Sequence, residues 1–415
     1  MKIAIIGGGA AGMMAAATLL EKNVSAKIYL FESNNVLGKK VSISGGGRCN
    51  VTTGITDKSL LLSKYTRGSK FLIPSFYEFP PEKVMAWFED HKVPLKTETD
   101  LRVFPESDTG SDIIRAFEKL FKKKVFVLLN EQVIKLSSAP EQRFNLETKN
   151  ENYDFDIVII TSGGNAYRHT GSKGDGYNFA KACNHTITQL GPSLNSFEVK
   201  EDWCKKLAGI SLPNTKLEYH EKNKQKISVN GPFLFTHFGI SGPVTFALSS
   251  HLAFEEISKN HPIKISLIPR TNSNPDFWDK EFLSKFSESP KKQIKHIISE
   301  YIPKRLTIEL LTLCKISPDK QCGEITKEER KNITKVFSGE IKLTLLSRMK
   351  GDEFVTAGGV SLDEVNKNTM ESRITPNLYF AGEVLDIDGL TGGFNLQSAW
   401  ATGRLAGLSI ARKLI

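Results

Sequence analysis

The order of apolar and polar positions first indicates a β-α-β unit at the N-terminal end of the chain. Residues 2–6 form a short apolar run that enters a glycine-rich turn, and small residues with helical character follow over 13–21. A second apolar run over residues 27–31 ends at Glu32. A strand, a helix and a second strand in this order predict a parallel sheet.

The same part of the chain predicts further elements. Apolar residues recur with helical spacing over residues 81–91 and 111–122. A continuous apolar run over 155–161 is typical of a strand buried on both faces, and it ends in glycines. A small set of strands is predicted at residues 125–129, 132–136 and 143–147.

The pattern changes near residue 189. A separate β-rich domain is predicted from segments at residues 215–219, 226–236 and 263–268. A mostly helical region over 275–345 follows, in which Ser289 is expected to be the N-cap of a helix and Pro290 its first residue.

Beyond residue 350 the character of the first domain returns. Residues 377–381 predict a strand, and residues 395–410 predict a helix of small residues.

Composition indicates a soluble globular chain of more than one domain, with 415 residues, 40% of them hydrophobic and 25% charged. Apolar runs fall short of the roughly 20 residues that span a bilayer, and the N-terminus does not resemble a signal peptide. We therefore expect a cytoplasmic protein. The five cysteines lack a Cys-x-x-Cys pair and the eight histidines are dispersed, so neither a metal site nor a dithiol reductase is expected.

The formal charge of +10 raises the question of a nucleic-acid partner. Residues 255–350 hold 19 Lys and Arg against 13 Asp and Glu, so the basic excess is interleaved with acids. This favours a solvated lysine-rich surface. The expected partner is a small-molecule substrate, with neither nucleic acid nor membrane, and the oligomeric state is left open.

The strongest local signal is Gly7-x-Gly9-x-x-Gly12 between a strand and a helix, with Glu32 about twenty residues further on. The first glycine permits the tight turn, the second lets backbone approach a pyrophosphate, and the third lets helix pack on strand. The helix N-terminus attracts the phosphates, and the carboxylate suits ribose hydroxyls. The pattern predicts dinucleotide binding but does not separate NAD from FAD.

Two further glycine-rich segments favour FAD. Residues 378–383 are a strand leading into Gly382 and Glu383, as in a fingerprint whose carboxylate holds ribityl hydroxyls, and residues 389–397 open a helix whose positive end can face the flavin. Residues 44–50 combine three glycines with Arg48, which can meet a phosphate or a substrate carboxylate.

These residues carry a resemblance to the aminoacetone oxidase/BaiN-like family of bacterial FAD-binding oxidoreductases, and it covers essentially the whole chain. The matching blocks are residues 44–52 (SGGGRCNVT), 102–107 (RVFPES), 162–167 (SGGNAY), 171–179 (GSKGDGYNF), 235–243 (FTHFGISGP) and 382–403 (GEVLDIDGLTGGFNLQSAWATG). Lys39 and Ser162 depart from the residues usual in relatives, and both changes keep charge or size.

The resemblance implies an α/β fold with a Rossmann-like FAD-binding domain split in sequence, an inserted β-barrel-like domain and a small helical domain. The expected bounds are 1–188 with 352–415, 189–272 with 336–351, and 273–335. It also implies FAD contacts at Gly7, Gly9, Ala10, Ala11, Gly12, Glu32, Lys40, Ser44, Gly46, Gly47, Arg48, Cys49, Asn50, Val133, Ser162, Gly163, Gly164, Gly382, Glu383, Gly393, Phe394, Asn395 and Leu396.

Catalytic residues are less readable. His237 can protonate a substrate, although a histidine that shapes its turn is the commoner case. Cys49 can be redox-active or merely packed, and Tyr167, with its neighbours Arg168 and His169, is a candidate for the substrate pocket. Asp386 and Asp388 can order the last flavin loop or simply cap it.

The predicted function is FAD-dependent hydride transfer to or from a small organic substrate, with NAD(P)H as a candidate electron donor. Amine oxidation and reduction of a conjugated C=C bond both occur on such a scaffold, and the fold does not choose between them. Two alternatives stay open: an FAD-dependent RNA-modifying enzyme, and a flavin sensor or electron carrier without catalytic activity.

Overall fold

The fold is given by a computed structural model that describes residues 1–139, 143–220, 226–349, 351 and 353–414. The chain forms two compact units, one joining Met1–Ser193 to Glu353–Ile415 and the other comprising Leu194–Asp352. The domain bounds expected at residues 352 and 415 fall outside the described residues. The three-domain division therefore stays a prediction, whereas the α/β class with a Rossmann-like sheet and a closed barrel is confirmed.

A five-stranded parallel sheet forms the centre of the first unit, and both ends of the chain contribute to it. Its strands in spatial order are Leu378–Phe380, Ile157–Ile160, Lys2–Ile6, Lys27–Phe31 and Phe126–Leu128. Side chains along Ile157–Ile160 are wholly buried, as the unbroken apolar run predicts for a sheet covered on both faces. The strand expected near residues 125–129 belongs to this sheet and not to the small set with which it was grouped, because Phe126 pairs with Tyr29.

The first helix, Ala10–Glu21, packs along the last helix, Phe394–Leu414. Small residues let the two backbones approach closely: a Cβ on Gly403 would lie 2.3 Å from the carbonyl oxygen of Ala11. The N-terminal and C-terminal segments are thus one packed layer.

The remaining elements of the first unit surround this layer. Its other helices are Lys39–Ile43, Lys58–Leu62, Ile73–Glu78, Pro81–Asp90, Ser111–Phe121 and Asp175–Ala182. Its other strands are Thr52–Thr53, Tyr65–Arg67, Leu95–Thr97, Arg102–Pro105, Val133–Ala139, Arg143–Thr148, Asn152–Phe155, Gly191–Ser193, Val355–Ala357 and Asp388–Gly389.

The second unit is a closed six-stranded barrel with helices. Its strands in spatial order are Phe197–Val199, Gly239–Ser241, Lys226–Phe235, Ser211–His220, Ile263–Ile268 and Ile341–Arg348. Its helices are Asp202–Lys206, Pro243–His251, Pro275–Glu288, Ile294–Ile298, Lys304–Leu313 and Lys327–Lys335. Barrel residues and helical residues such as Trp278 share one hydrophobic core.

The helix start expected at Ser289 and Pro290 is wrong. Ser289 is the C-cap of the preceding helix, and the next helix begins at Ile294. The amide of Lys292 donates to the carbonyl oxygen of Ser289, which closes a turn, and the carbonyl oxygen of Pro290 accepts a long-range hydrogen bond from the amide of Gly323. The helical region also ends earlier than expected, because Ile341–Arg348 is a barrel strand.

Within the residues that the structure covers, no helix is both long and apolar enough to cross a membrane.

Candidate nucleotide site

The first glycine turn lies between the first strand and the first helix, with Gly9 as the helix N-cap. A Cβ on Gly12 would lie 2.0 Å from the carbonyl oxygen of Gly7, so this glycine is required for the turn to pack. A Cβ on Gly9 would meet no atom of the described chain within 4 Å. The second glycine therefore opens onto free space at the positive end of a helix, where an anion is stabilised.

Glu32 ends the second strand beside this turn, as the spacing predicts. One of its oxygens accepts a hydrogen bond from the amide of Gly8 at 3.0 Å, and the other accepts from the amide of Asn34 at 2.8 Å and from its side-chain nitrogen at 2.7 Å. These donors fix the orientation of the carboxylate. The oxygen bonded to the Gly8 amide has a second lone pair, so the group can still accept from a ribose hydroxyl.

The second glycine turn is the 3₁₀ segment Ser44–Gly47, in which Gly45, Gly46 and Gly47 have positive φ values of 58°, 71° and 90°. Cβ atoms on Gly46 and Gly47 would have no neighbour within 4 Å in the described part of the chain. Successive residues of this conformation turn their amides to one side, which suits an anion or a polar ring edge.

Arg48, at the end of this turn, contacts carboxylates of its own chain. Its guanidinium donates to Glu98 at 2.7 Å and to Asp108 at 3.4 Å, and it lies 3.8 Å from the centre of the Phe104 ring. The contact with a phosphate or substrate carboxylate expected from the sequence stays a prediction, and it would compete with these groups.

Cys49 is wholly buried in a left-handed backbone conformation with φ of 62°. Burial raises the pKa of its thiol to about 12. Because the thiolate is the reactive form of cysteine, this environment supports the packing role and disfavours the catalytic one.

The segment that follows the second turn is bonded directly to the last glycine motif. With the Asn50 amide oriented to satisfy both of its ends, its oxygen accepts from the amide of Gly393 at 2.9 Å. Thr52 donates to the side chain of Gln397 at 2.6 Å, and the Trp400 indole donates to the carbonyl oxygen of Val51 at 3.0 Å. Residues from the two ends of the sequence thus form one continuous site wall.

A second link joins Lys40 to Glu383. The Lys40 ammonium donates to one oxygen of Glu383 at 2.6 Å, and the other oxygen accepts from the amide of Thr356 at 3.0 Å. A Cβ on Gly164 would lie 2.8 Å from Glu383. Three segments therefore meet at the Glu383 carboxylate: the glycine turn at residues 162–164, the helix Lys39–Ile43 and the strand end at Gly382.

Other predicted contact residues lie around these turns. Val133 is buried at the start of an antiparallel strand, and Gly163 has a φ of 77° in the turn after Ile157–Ile160. The hydroxyl of Ser162 is buried and has no hydrogen-bond partner among the described residues. A bound polar group or a water molecule would satisfy it.

The candidate catalytic residues fall into different units. Tyr167 has a φ of 56°, stacks on Phe354 with ring centres 5.8 Å apart, and has the Lys40 ammonium 5.8 Å from its ring. It therefore adjoins the Lys40–Glu383 pair, and His169 contacts its ring edge. His237 belongs to the barrel unit, and its catalytic role stays a prediction.

No local pattern in the sequence marks the strand Tyr65–Arg67, which contacts the last glycine motif. The Tyr65 hydroxyl donates to the carbonyl oxygen of Phe394 at 2.6 Å, and Arg67 is paired with Asp388. Only the acid partner, Asp388, stood out in the sequence, because it lies inside a distinctive block.

The residues present fit FAD as the bound dinucleotide. Open glycines lie at a helix N-terminus and in the Ser44–Gly47 turn. Glu32 accepts from the amide of Gly8, next to the first, and Glu383 accepts from Lys40, in the helix that precedes the second. Across the described ranges, no group of three or more His, Cys, Asp or Glu side chains is arranged to hold a metal ion.

Comparison with known proteins gives a family and several relatives. Residues 1–409 match the HI0933-like protein Rossmann domain family. A 3-dehydro-bile acid delta(4,6)-reductase of Clostridium scindens is 28% identical over 99% of this chain and 99% of its own length. A ribosomal RNA dihydrouridine synthase of Haemophilus influenzae is also 28% identical, over 99% of this chain and 98% of its own length.

Solved structures share the fold at low identity. A 3-ketosteroid delta1-dehydrogenase from Sterolibacterium denitrificans superposes with a TM-score of 0.52 at 12% identity, over 99% of both chains.

Proposed function

Since the chain belongs to the HI0933-like Rossmann domain family and is a flavoprotein oxidoreductase, we propose that it uses FAD to reduce a C=C bond conjugated to a carbonyl group. The proposed substrate is a small organic molecule, and the proposed electron donor is NAD(P)H. The finer assignment to the aminoacetone oxidase/BaiN-like group is part of this proposal.

The observation that carries FAD binding is the site built from both ends of the chain. Gly9 leaves room for a pyrophosphate at the start of the first helix, and Glu32 is held where ribose hydroxyls can donate to it. The last glycine motif, from Gly382 to Gly393, is bonded through Gly393 to Asn50, at the end of the second glycine turn. An NAD-only enzyme does not need this second motif.

Bound FAD would supply the two-electron transfer that a conjugated C=C bond requires. The chain's own part is to bind and orient. Lys40 neutralises Glu383 and fixes it, and the positive end of Phe394–Leu414 is available to a group that gains negative charge.

The observation that favours C=C reduction over amine oxidation comes from the relatives. One is named as a delta(4,6)-reductase of 3-dehydro-bile acids and another as a synthase of dihydrouridine. Both names describe saturation of a C=C bond conjugated to a carbonyl. The two relatives differ in substrate and agree in chemistry, and that shared chemistry is what we propose for this chain.

Saturating such a bond also adds a proton to the carbon beside the carbonyl, so the site needs a proton donor. We propose Tyr167 and His237 as the candidates. Tyr167 is supported by its place beside Lys40, whereas His237 is supported by the sequence resemblance alone.

The test is anaerobic stopped-flow absorbance at the flavin band. NADH or NADPH should bleach the bound flavin, and a 3-oxo-4,6-diene steroid acid or a uridine-containing rRNA should restore its colour and gain 2 mass units. If dithionite-reduced enzyme is reoxidised by oxygen alone and by neither alkene, the proposed reaction is wrong. If neither nucleotide bleaches the flavin but an alkene reoxidises it, only the donor assignment fails.

A second candidate, modification of RNA, is favoured by the rRNA dihydrouridine synthase relatives and the net charge of +10. Many cations of the helical segment are already paired, for example Lys285 and Lys292 with Glu300, and Lys320 with Glu329. The rRNA arm of the experiment decides: reoxidation by rRNA but not by the steroid acid would establish the RNA substrate.

A further inference from the structure

A buried ion pair fastens the loop before the last helix to the strand Tyr65–Arg67. Arg67 donates through Nε and Nη2 to the two oxygens of Asp388. The Asp388 side chain is 0% exposed and that of Arg67 is 17% exposed. The Ser193 hydroxyl donates to the same carboxylate at 2.7 Å. Three donors therefore fix the orientation of the Asp388 carboxylate.

The backbone of the loop is fastened along the same strand. Tyr65–Arg67 pairs antiparallel with Asp388–Gly389, and the amide of Leu390 donates to the carbonyl oxygen of Lys64 at 2.8 Å. One residue beyond the ion pair, a Cβ on Gly68 would lie 2.5 Å from the side chain of Ile387. The ion pair thus lies at the start of a continuous contact between strand and loop.

The far end of the loop is fastened to the start of the last helix. Gly389 exchanges two hydrogen bonds with the Asn395 side chain, at 2.9 Å and 2.8 Å, and Tyr65 reaches the carbonyl oxygen of Phe394 at 2.6 Å. The position of Gly389 therefore determines where the first turn of the helix begins.

Stability alone is a weak reason for such a pair. Burying two charges carries a desolvation penalty, and well-packed apolar residues often replace a buried ion pair without loss of stability. What apolar residues do not reproduce is the directional fork of a guanidinium on a carboxylate, which permits one register between strand and loop. The geometry of the contact points to a positional role.

We propose that Arg67 and Asp388 are positioning residues that set the path of residues 388–393 and, through it, the end of the last helix that faces the flavin. The inference rests on the proposed FAD site. It predicts that removing the pair's charges changes the cofactor's affinity and redox potential more than the stability of the fold.

The variant for the test is the double substitution Arg67→Gln with Asp388→Asn, which keeps polar side chains of similar size and avoids leaving one buried charge unpaired. The matched control is Arg330→Gln with Asp279→Asn, because Arg330 donates to Asp279 at 2.9 Å and their side chains are 12% and 35% exposed. We expect the first variant to bind FAD at least tenfold more weakly and at a more negative midpoint potential. The control should change neither.

Hydrogen exchange of the apoproteins separates this proposal from the proposed function. The amides of Gly389 and Leu390 should exchange at least tenfold faster in the Arg67–Asp388 variant than in the wild type, with protection in the parallel sheet unchanged. The proposal is overturned if the variant binds FAD with the same affinity and midpoint potential as the wild type. It is also overturned if the exchange rates of these two amides do not change. If the wild-type protein binds no FAD, the proposed function fails, and exchange alone decides whether the pair fixes the loop.

Discussion

The two glycine-rich regions of the nucleotide site use their glycines in opposite ways. In the N-terminal region, Cβ atoms on Gly9 and Gly47 would have free space around them, with no described atom within 4 Å. In the C-terminal region, a Cβ on Gly393 would lie 2.2 Å from the carbonyl oxygen of Thr52. The first region leaves room for a ligand, and the second brings the chain into contact with itself.

This difference separates affinity from stability. Substitution of an open glycine should change what the protein binds, whereas substitution of a closed glycine should change whether the two ends of the chain meet. The N-terminal motif contains both kinds, since Gly12 is closed against Gly7 while Gly9 is open. A shared sequence pattern therefore does not imply a shared role.

The largest expected effect is on stability, and it comes from adding a Cβ to one closed and one open glycine that have similar backbone strain. Gly393→Ala and Gly47→Ala both place a side chain at positive φ, of 87° and 90°, but only the first meets backbone. We expect Gly393→Ala to lower the free energy of unfolding of the apoprotein by about 3 kcal/mol and Gly47→Ala by about 1 kcal/mol. Urea unfolding measures both. Equal losses would show that the Gly393 contact is not tight.

The next effect concerns the open glycine of the first turn. Gly9→Leu should weaken FAD binding by about 100-fold, or about 2.7 kcal/mol, because the side chain fills the space at the helix N-terminus. The free energy of unfolding of the Gly9→Leu apoprotein should stay within about 0.5 kcal/mol of the wild-type value. Gly9→Ala is the size control, and its FAD affinity should lie between those of the wild type and Gly9→Leu. A Gly9→Leu protein that binds FAD normally would contradict the placement.

Much of the first region could be predicted from the sequence because backbone approach to a ligand requires glycine at fixed positions. The turn before Ala10–Glu21, the acid Glu32 and the strand Ile157–Ile160 all follow from local pattern. Such rules act over a few neighbouring residues, and that is why they can be read.

The partners of the second region could not be predicted in this way. Tyr65 and Arg67 meet the last glycine motif from more than 300 positions away in the sequence, and no local period marks them. The error at Ser289 has the same cause, because long-range pairing with residues near Gly323 overrides a good helix-start signal. Residues that recognise a substrate follow no comparable pattern of required positions, so they could not be read from the sequence either.

A smaller effect is expected at Glu32. Glu32→Gln keeps the size of the side chain but replaces one acceptor oxygen by a donor, so it should weaken FAD binding by about tenfold, or about 1.4 kcal/mol. Isothermal titration of FAD into the apoprotein measures it. Unchanged affinity would mean that the carboxylate only orders the turn through the Gly8 amide.

The smallest effect is a pH dependence at Cys49, because burial raises the pKa of its thiol from the ordinary value of 9.0 to about 12. A raised folded-state pKa contributes stability that is complete below the unfolded pKa and is lost as the pH rises towards the folded one. Between pH 9 and pH 10 the wild type should lose about 1 kcal/mol more than Cys49→Ala in urea unfolding. Identical losses would show that the thiol is accessible.

The central claim is that the two ends of the chain assemble one site for FAD, and the direct measurement is the identity and amount of cofactor released on denaturing the purified protein. Mass spectrometry and absorbance should find FAD at about one equivalent per chain after reconstitution with excess FAD, and far less from Gly9→Leu treated in the same way. A folded wild-type protein that releases no FAD after reconstitution, or that releases only NAD, would contradict the claim.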